Sequence, residues 1–97
     1  FKGGKGVATF IGVLIGIYWP AAVGFCGIWL AVAAVSRISS LSALVATLAT
    51  LAYIVTTSQT VAATAAIVIM TALIFWKHRE NIGRLLRGEE SRIGAKG

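Results

Sequence analysis

Apolar residues run almost unbroken through three stretches of the chain, Val7 to Val35, Leu41 to Thr57 and Val61 to Trp76. Stretches of this length with almost no charge predict helices in a bilayer. The first, as one continuous helix, would extend about 43 Å against a hydrocarbon core of about 30 Å. Pro20 divides it, because a proline lacks the amide proton and disrupts a helix interior, and Tyr18 and Trp19 just before it suit a membrane interface. The pattern therefore predicts four membrane helices, over Lys5 to Tyr18, Ala21 to Val35, Leu41 to Thr56 and Val61 to Lys77. The first reaches only about 21 Å and reads as a shallow element. Beyond the last, Arg79 to Arg87 predicts a short surface helix with Ile82, Leu85 and Leu86 on one face. The fold class is all-α, a polytopic helical membrane protein with a short cytoplasmic C-terminal helix. Small residues four apart, Gly12 and Gly16, Ala46 and Thr50, Ala62 and Ala66, are expected to be helix-packing positions.

Charge fixes the expected topology. Between Gly6 and Trp76 the only Asp, Glu, Lys or Arg is Arg37, and all nine Lys and Arg fall on one face if four helices cross. The opposite connections, at Pro20 and over Thr57 to Thr60, carry no charge, as the positive-inside rule requires. With 58% hydrophobic and 12% charged residues among 97, and a mean hydropathy of +0.88, there is too little polar surface for a soluble domain. The net charge of +6 flanks apolar runs, which points to lipid headgroups or a small anionic substrate and not to nucleic acid. A lone Cys26 within an apolar run allows no internal disulfide. Residues 1–97 read as a single integral membrane domain with a glycine-lysine loop over 1–6, membrane helices over 7–77 and a cytoplasmic tail over 78–97. The start at Phe1, with neither Met nor a signal-peptide pattern, reads as a piece of a longer protein.

Three clusters could carry chemistry. Gly3, Gly4, Lys5 and Gly6 open a helix, where exposed backbone amides, the helix dipole and a lysine together suit an anion. Alternatively they form a juxtamembrane turn with a snorkelling lysine. No Walker A loop is present, since Gly6 stands where Ser or Thr would follow the lysine. Arg37, in Ser36-Arg37-Ile38-Ser39-Ser40, could clamp a phosphate bidentately beside a serine hydroxyl. The competing reading makes Arg37 a topology determinant and Ser39 or Ser40 a helix N-cap. His78 and Asn81, three apart on a helix, would point the same way at the membrane edge, as base and orienting group. Otherwise His78 is an interfacial residue beside Trp76 and Lys77. All three clusters converge on one membrane face, which suits a phosphorylated substrate. No acidic residue is expected to be buried, no thiol is expected near this face and no metal cluster is expected, which argues against an acyl-cysteine intermediate or metal-assisted hydrolysis.

The residues Phe1-Lys2-Gly3-Gly4-Lys5-Gly6-Val7-Ala8-Thr9, and His78-Arg79-Glu80-Asn81-Ile82 followed by Arg84-Leu85-Leu86 and Gly88-Glu89-Glu90, resemble the bacterial glycerol-3-phosphate acyltransferases that use acyl phosphate. Arg37-x-x-Ser40-Leu41 is similar to that family's central cytoplasmic segment. The resemblance implies a multi-pass inner-membrane enzyme that moves a fatty acyl group from acyl phosphate to the 1-hydroxyl of glycerol 3-phosphate, giving lysophosphatidic acid for phospholipid synthesis. It implies no cofactor: neither coenzyme A, acyl carrier protein nor a metal. It also implies that Gly3, Gly4, Lys5 and Gly6 hold the substrate phosphate, that Arg37 and Ser40 contribute to the anionic site, that His78 and Asn81 act near the reacting groups, and that Glu80 is structural. The family carries a further motif with an essential serine and arginine in its N-terminal half, followed by more helices, so this chain corresponds to the C-terminal half. Two readings compete, a fragment of an organic-phosphate transporter and a small non-enzymatic membrane protein. The transporter expects ionisable groups at mid-membrane depth, and the spans have none. Oligomeric state is left open.

Overall fold

The computed structural model describes residues 4–57 and 60–94. Helix α1 (Gly4–Ser36) is interrupted at Tyr18, whose φ of −165° and ψ of 95° are extended. It is followed by α2 (Ser39–Thr56), α3 (Val61–Lys77) and α4 (Arg79–Leu86).

The interruption turns α1 into a hairpin. The rings of Phe10 and Phe25 lie 5.5 Å apart, whereas a straight helix would separate those positions by about 22 Å along its axis. The two limbs, 4–17 and 19–36, thus run side by side and take the place of the two helices expected on either side of Pro20. The break sits two residues before the proline. Pro20 offers no amide to the Gly16 carbonyl, so the hydrogen-bond ladder is interrupted here, and the chain breaks at Tyr18 while Trp19 already opens the second limb. At that end Tyr18 stacks on Tyr53 of α2, with ring centroids 6.1 Å apart.

The core gathers Phe10 and Leu14 from the first limb, Phe25 from the second, Ala43, Ala46 and Ile54 from α2, and Ile67 and Ile74 from α3. On α2, Ser42, Thr47 and Thr50 are also buried, and each hydroxyl donates to the backbone carbonyl four residues earlier. Such internal bonding satisfies a hydroxyl that has no water to turn to. Of the small-residue pairs, Ala46 and Thr50 pack as expected. Gly12 and Gly16 do not: a methyl group at either would meet nothing within 4 Å. The physical reason is register, since Val7, Phe10 and Leu14 define the buried face of the first limb and place both glycines on its far side. Ala62 is likewise exposed.

The helix ends differ from expectation in one informative place. Thr60 caps α3 by accepting the Ala63 amide. The residue preceding α2 is Ile38, which gives no side-chain cap, so neither Ser39 nor Ser40 is the expected N-cap. The Ile38 amide instead donates to the Ser36 hydroxyl, and Ser40 is released for another partner.

Candidate active site

The chain bends by 60° between α3 and α4, with His78 at the corner. Through this corner α3 faces the start of α1, and α4 faces the start of α2.

On the first side, Lys5, Gly6 and Thr9 of α1 and Met70, Leu73, Ile74 and Lys77 of α3 line a groove of about 290 Å³. Two lysines therefore flank one groove. Gly6 lies against α3, where a built Cβ would stand 3.8 Å from Ile74 Cγ1. Gly4, Lys5 and Gly6 form the opening turn of α1, so this part of the expected loop is helical; Gly3 lies outside the described residues. The His78 ring is wholly buried, with Nδ1 2.8 Å from the Ile74 carbonyl oxygen. A carbonyl can only accept, so Nδ1 is the donor in this bond.

On the other side is a carboxylate that the sequence reading missed. Glu90, with a side chain only 5% exposed, accepts from Ser40 Oγ at 2.7 Å and Asn81 Nδ2 at 2.7 Å on one oxygen, and from Arg84 Nε at 2.8 Å on the other. The expectation of no buried acid is thereby corrected. Local backbone chemistry places the group. Helix α4 ends with Gly88 at φ 70°, the Glu89 amide donating to the Arg84 carbonyl and the Gly88 amide to the Leu85 carbonyl. These are the paired bonds of a Schellman turn, which needs glycine at the left-handed position and folds the following residues back over the helix. The useful sequence signal was Gly88 directly after an amphipathic helix, with one of only three acidic residues two positions on.

His78 and Asn81 do not point together, because the bend falls at His78. The imidazole turns back into α3 while Asn81 turns to Glu90. Ser40 and Asn81, 41 positions apart in the chain, are brought onto the same carboxylate oxygen. Arg37 takes a different direction, with Nε and Nη2 donating to the carbonyl of Ile93 at 3.2 and 2.7 Å.

Burial pushes the Glu90 carboxyl up, but hydrogen bonds from Arg84, Ser40 and Asn81, with the charge of Arg84, outweigh it and bring the pKa down from 4.5 to about 2. A carboxyl depressed in the folded state contributes stability that is complete above 4.5 and lost as pH falls toward about 2. The thermal midpoint in detergent is therefore expected to drop across that window, and Glu90→Gln should flatten this part of the profile. An unchanged profile in Glu90→Gln would show that the carboxylate is not so held.

A family profile, glycerol-3-phosphate acyltransferase, matches residues 1–88. The chain belongs to the glycerol-3-phosphate acyltransferase family. Its curated relatives include glycerol-3-phosphate acyltransferases of Bradyrhizobium diazoefficiens, 54% identical over 96 residues, and of Brucella ovis, 55% identical over 97. The alignments cover 99% and 100% of this chain and 48% of each relative, so it spans about half their length. The fold matches crystal structures of PlsY, an integral membrane glycerol 3-phosphate acyltransferase, in its glycerol 3-phosphate form and in its lysophosphatidic acid form. Each match has a TM-score of 0.88 at 34% identity, covering 93% of this chain and 45% and 46% of those chains. Among the described residues the fold is all-helical, and the chain is an integral membrane protein of this family.

Proposed function

We propose that this chain is the C-terminal half of an enzyme that transfers a fatty acyl group from acyl phosphate to the 1-hydroxyl of glycerol 3-phosphate, with its polar end on the cytoplasmic face of a bacterial inner membrane. The observation that carries the reading is the gathering of Lys5, Lys77, Ser40, His78, Asn81, Arg84 and Glu90 at one end of an apolar bundle, in a chain whose family and structural neighbours are glycerol 3-phosphate acyltransferases. Gly3 to Gly6 with Lys5 would hold the substrate phosphate, and Lys77 across the groove would add a second positive charge. Ser40 and Asn81 would orient the polyol.

An acyl phosphate is a mixed anhydride with a good leaving group, so a direct attack suffices. The glycerol oxygen forms a bond to the acyl carbon, the bond from that carbon to the phosphate oxygen breaks, and inorganic phosphate departs with the electron pair. The hydroxyl proton goes to His78 Nε2 or to a substrate phosphate. Orientation of two bound substrates supplies much of the rate. The donor is tested with the chain co-expressed with the N-terminal half of the Bradyrhizobium diazoefficiens relative: palmitoyl phosphate is expected to yield lysophosphatidic acid with one equivalent of inorganic phosphate, and palmitoyl coenzyme A none. Product from the thioester instead would overturn the donor assignment.

A further inference from the structure

Arg37 was expected to bind a substrate phosphate, but its surroundings suit a different task. It is the one non-glycine residue at positive φ among the described residues, at 59°, a conformation that an L-residue adopts only where the surroundings hold it. The left-handed turn lets one residue grip the tail twice. Its carbonyl accepts the Ile93 amide, and its guanidinium donates two hydrogen bonds to the Ile93 carbonyl. The next residue is shaped to receive it: Gly94 has φ 81°, and a Cβ there would stand 3.0 Å from Arg37 Nη2. The tail is thus fixed at both ends, by the Schellman turn at Gly88 and by Arg37 at Ile93. Glu90 lies between them.

We propose that Arg37 is a positioning residue, which clasps Ile93 so that the segment 89–93 holds Glu90 against Ser40 and Asn81. The proposal rests on the acyltransferase reading for its effect on turnover, since Ser40 and Asn81 matter to the reaction only there. Without the clasp, the tail past Gly88 is anchored at one end, and the carboxylate loses the restraint that keeps three donors on it. This differs from a phosphate ligand in a measurable way, because the clasp can be broken without touching a charge. Gly94→Val puts a side chain where the guanidinium sits and in a backbone conformation that valine resists, whereas Arg37→Gln replaces the guanidinium by a shorter, uncharged amide that cannot make the same two-donor grip.

The experiment compares Arg37→Gln, Gly94→Val and the double variant in the chain co-expressed with its relative's N-terminal half. One arm follows tryptic cleavage after Arg92 by mass spectrometry, since both backbone groups of Ile93 are occupied while the clasp is closed. Cleavage is expected to accelerate about tenfold in both single variants. The second arm follows acyl transfer: each variant should lower kcat about tenfold, leave KM for glycerol 3-phosphate within about twofold, and the double variant should be no worse than either, as for two changes on one path. Unchanged cleavage in both variants overturns the clasp. A raised KM in Arg37→Gln with a silent Gly94→Val overturns the positioning role in favour of direct phosphate binding. Absence of product even with native residues would reject the acyltransferase reading, and the cleavage arm would still decide whether the clasp exists.

Discussion

Glu90→Ala is expected to lower acyl transfer at least about a hundredfold and to destabilise the polar end by about 2 kcal/mol. The carboxylate is the single acceptor for Ser40, Asn81 and Arg84. Its removal takes the acceptor from all three donors around the polar cavity of about 380 Å³ that Glu90 lines with them, and costs more than the loss of one favourable bond where a partner keeps its desolvation penalty. Arg84 is about a third exposed and recovers water, which keeps the stability loss near that of one charge-assisted bond. The activity loss is larger because Ser40 and Asn81 then lose their fixed directions. Glu90→Asp should restore part of the activity, having the charge with a shorter reach, while Glu90→Gln should not, since its amide presents a donor to donors. Steady-state rates and thermal midpoints of the three variants check this. Full turnover in Glu90→Ala would show that Ser40 and Asn81 need no such alignment.

His78→Gln is expected to reduce kcat about a hundredfold, with KM for glycerol 3-phosphate changed less than about threefold. Glutamine can still donate to the Ile74 carbonyl and so preserve the corner between α3 and α4, but it has no group that accepts a proton near neutral pH. The fully buried ring makes the choice of substitute matter. Alanine would open a cavity and confuse folding with chemistry. If His78→Gln keeps its turnover and instead weakens substrate affinity, the ring positions the substrate and the proton leaves by another route, such as a substrate phosphate.

The helical architecture was legible because hydrophobic length and a single proline are strong, additive constraints. The break near Pro20, the spans of α2 and α3 and the short α4 all follow from them. The packing face of the first limb was less legible. A glycine pair spaced for close approach says that a helix can approach there, and only the register of Val7, Phe10 and Leu14 decides which side faces this chain.

Within the candidate site, the lysine groove and the residues of the corner were visible as residue types, but their directions were not. A helix drawn straight through His78 puts His78 and Asn81 on one face, and a 60° bend separates them. Ser40 read either as a cap, because serine before an apolar run often is one, or as part of the anionic site, and neither reading pairs it with Glu90. Glu90 stood in the motif without a role, because its burial depends on a Schellman turn at Gly88 and on Arg37, 53 positions earlier, holding the residue three beyond it. Long-range contacts of that kind leave no periodic trace in a sequence.

If the polar end of this bundle is one half of an acyl-transfer site, it acts only together with the other half. The most direct measurement is lysophosphatidic acid formation from palmitoyl phosphate and glycerol 3-phosphate by this chain in membranes, alone and co-expressed with the N-terminal half of the Bradyrhizobium diazoefficiens relative. Product is expected only when both pieces are present. Two pieces that are inserted and associated, yet form no lysophosphatidic acid, would contradict it.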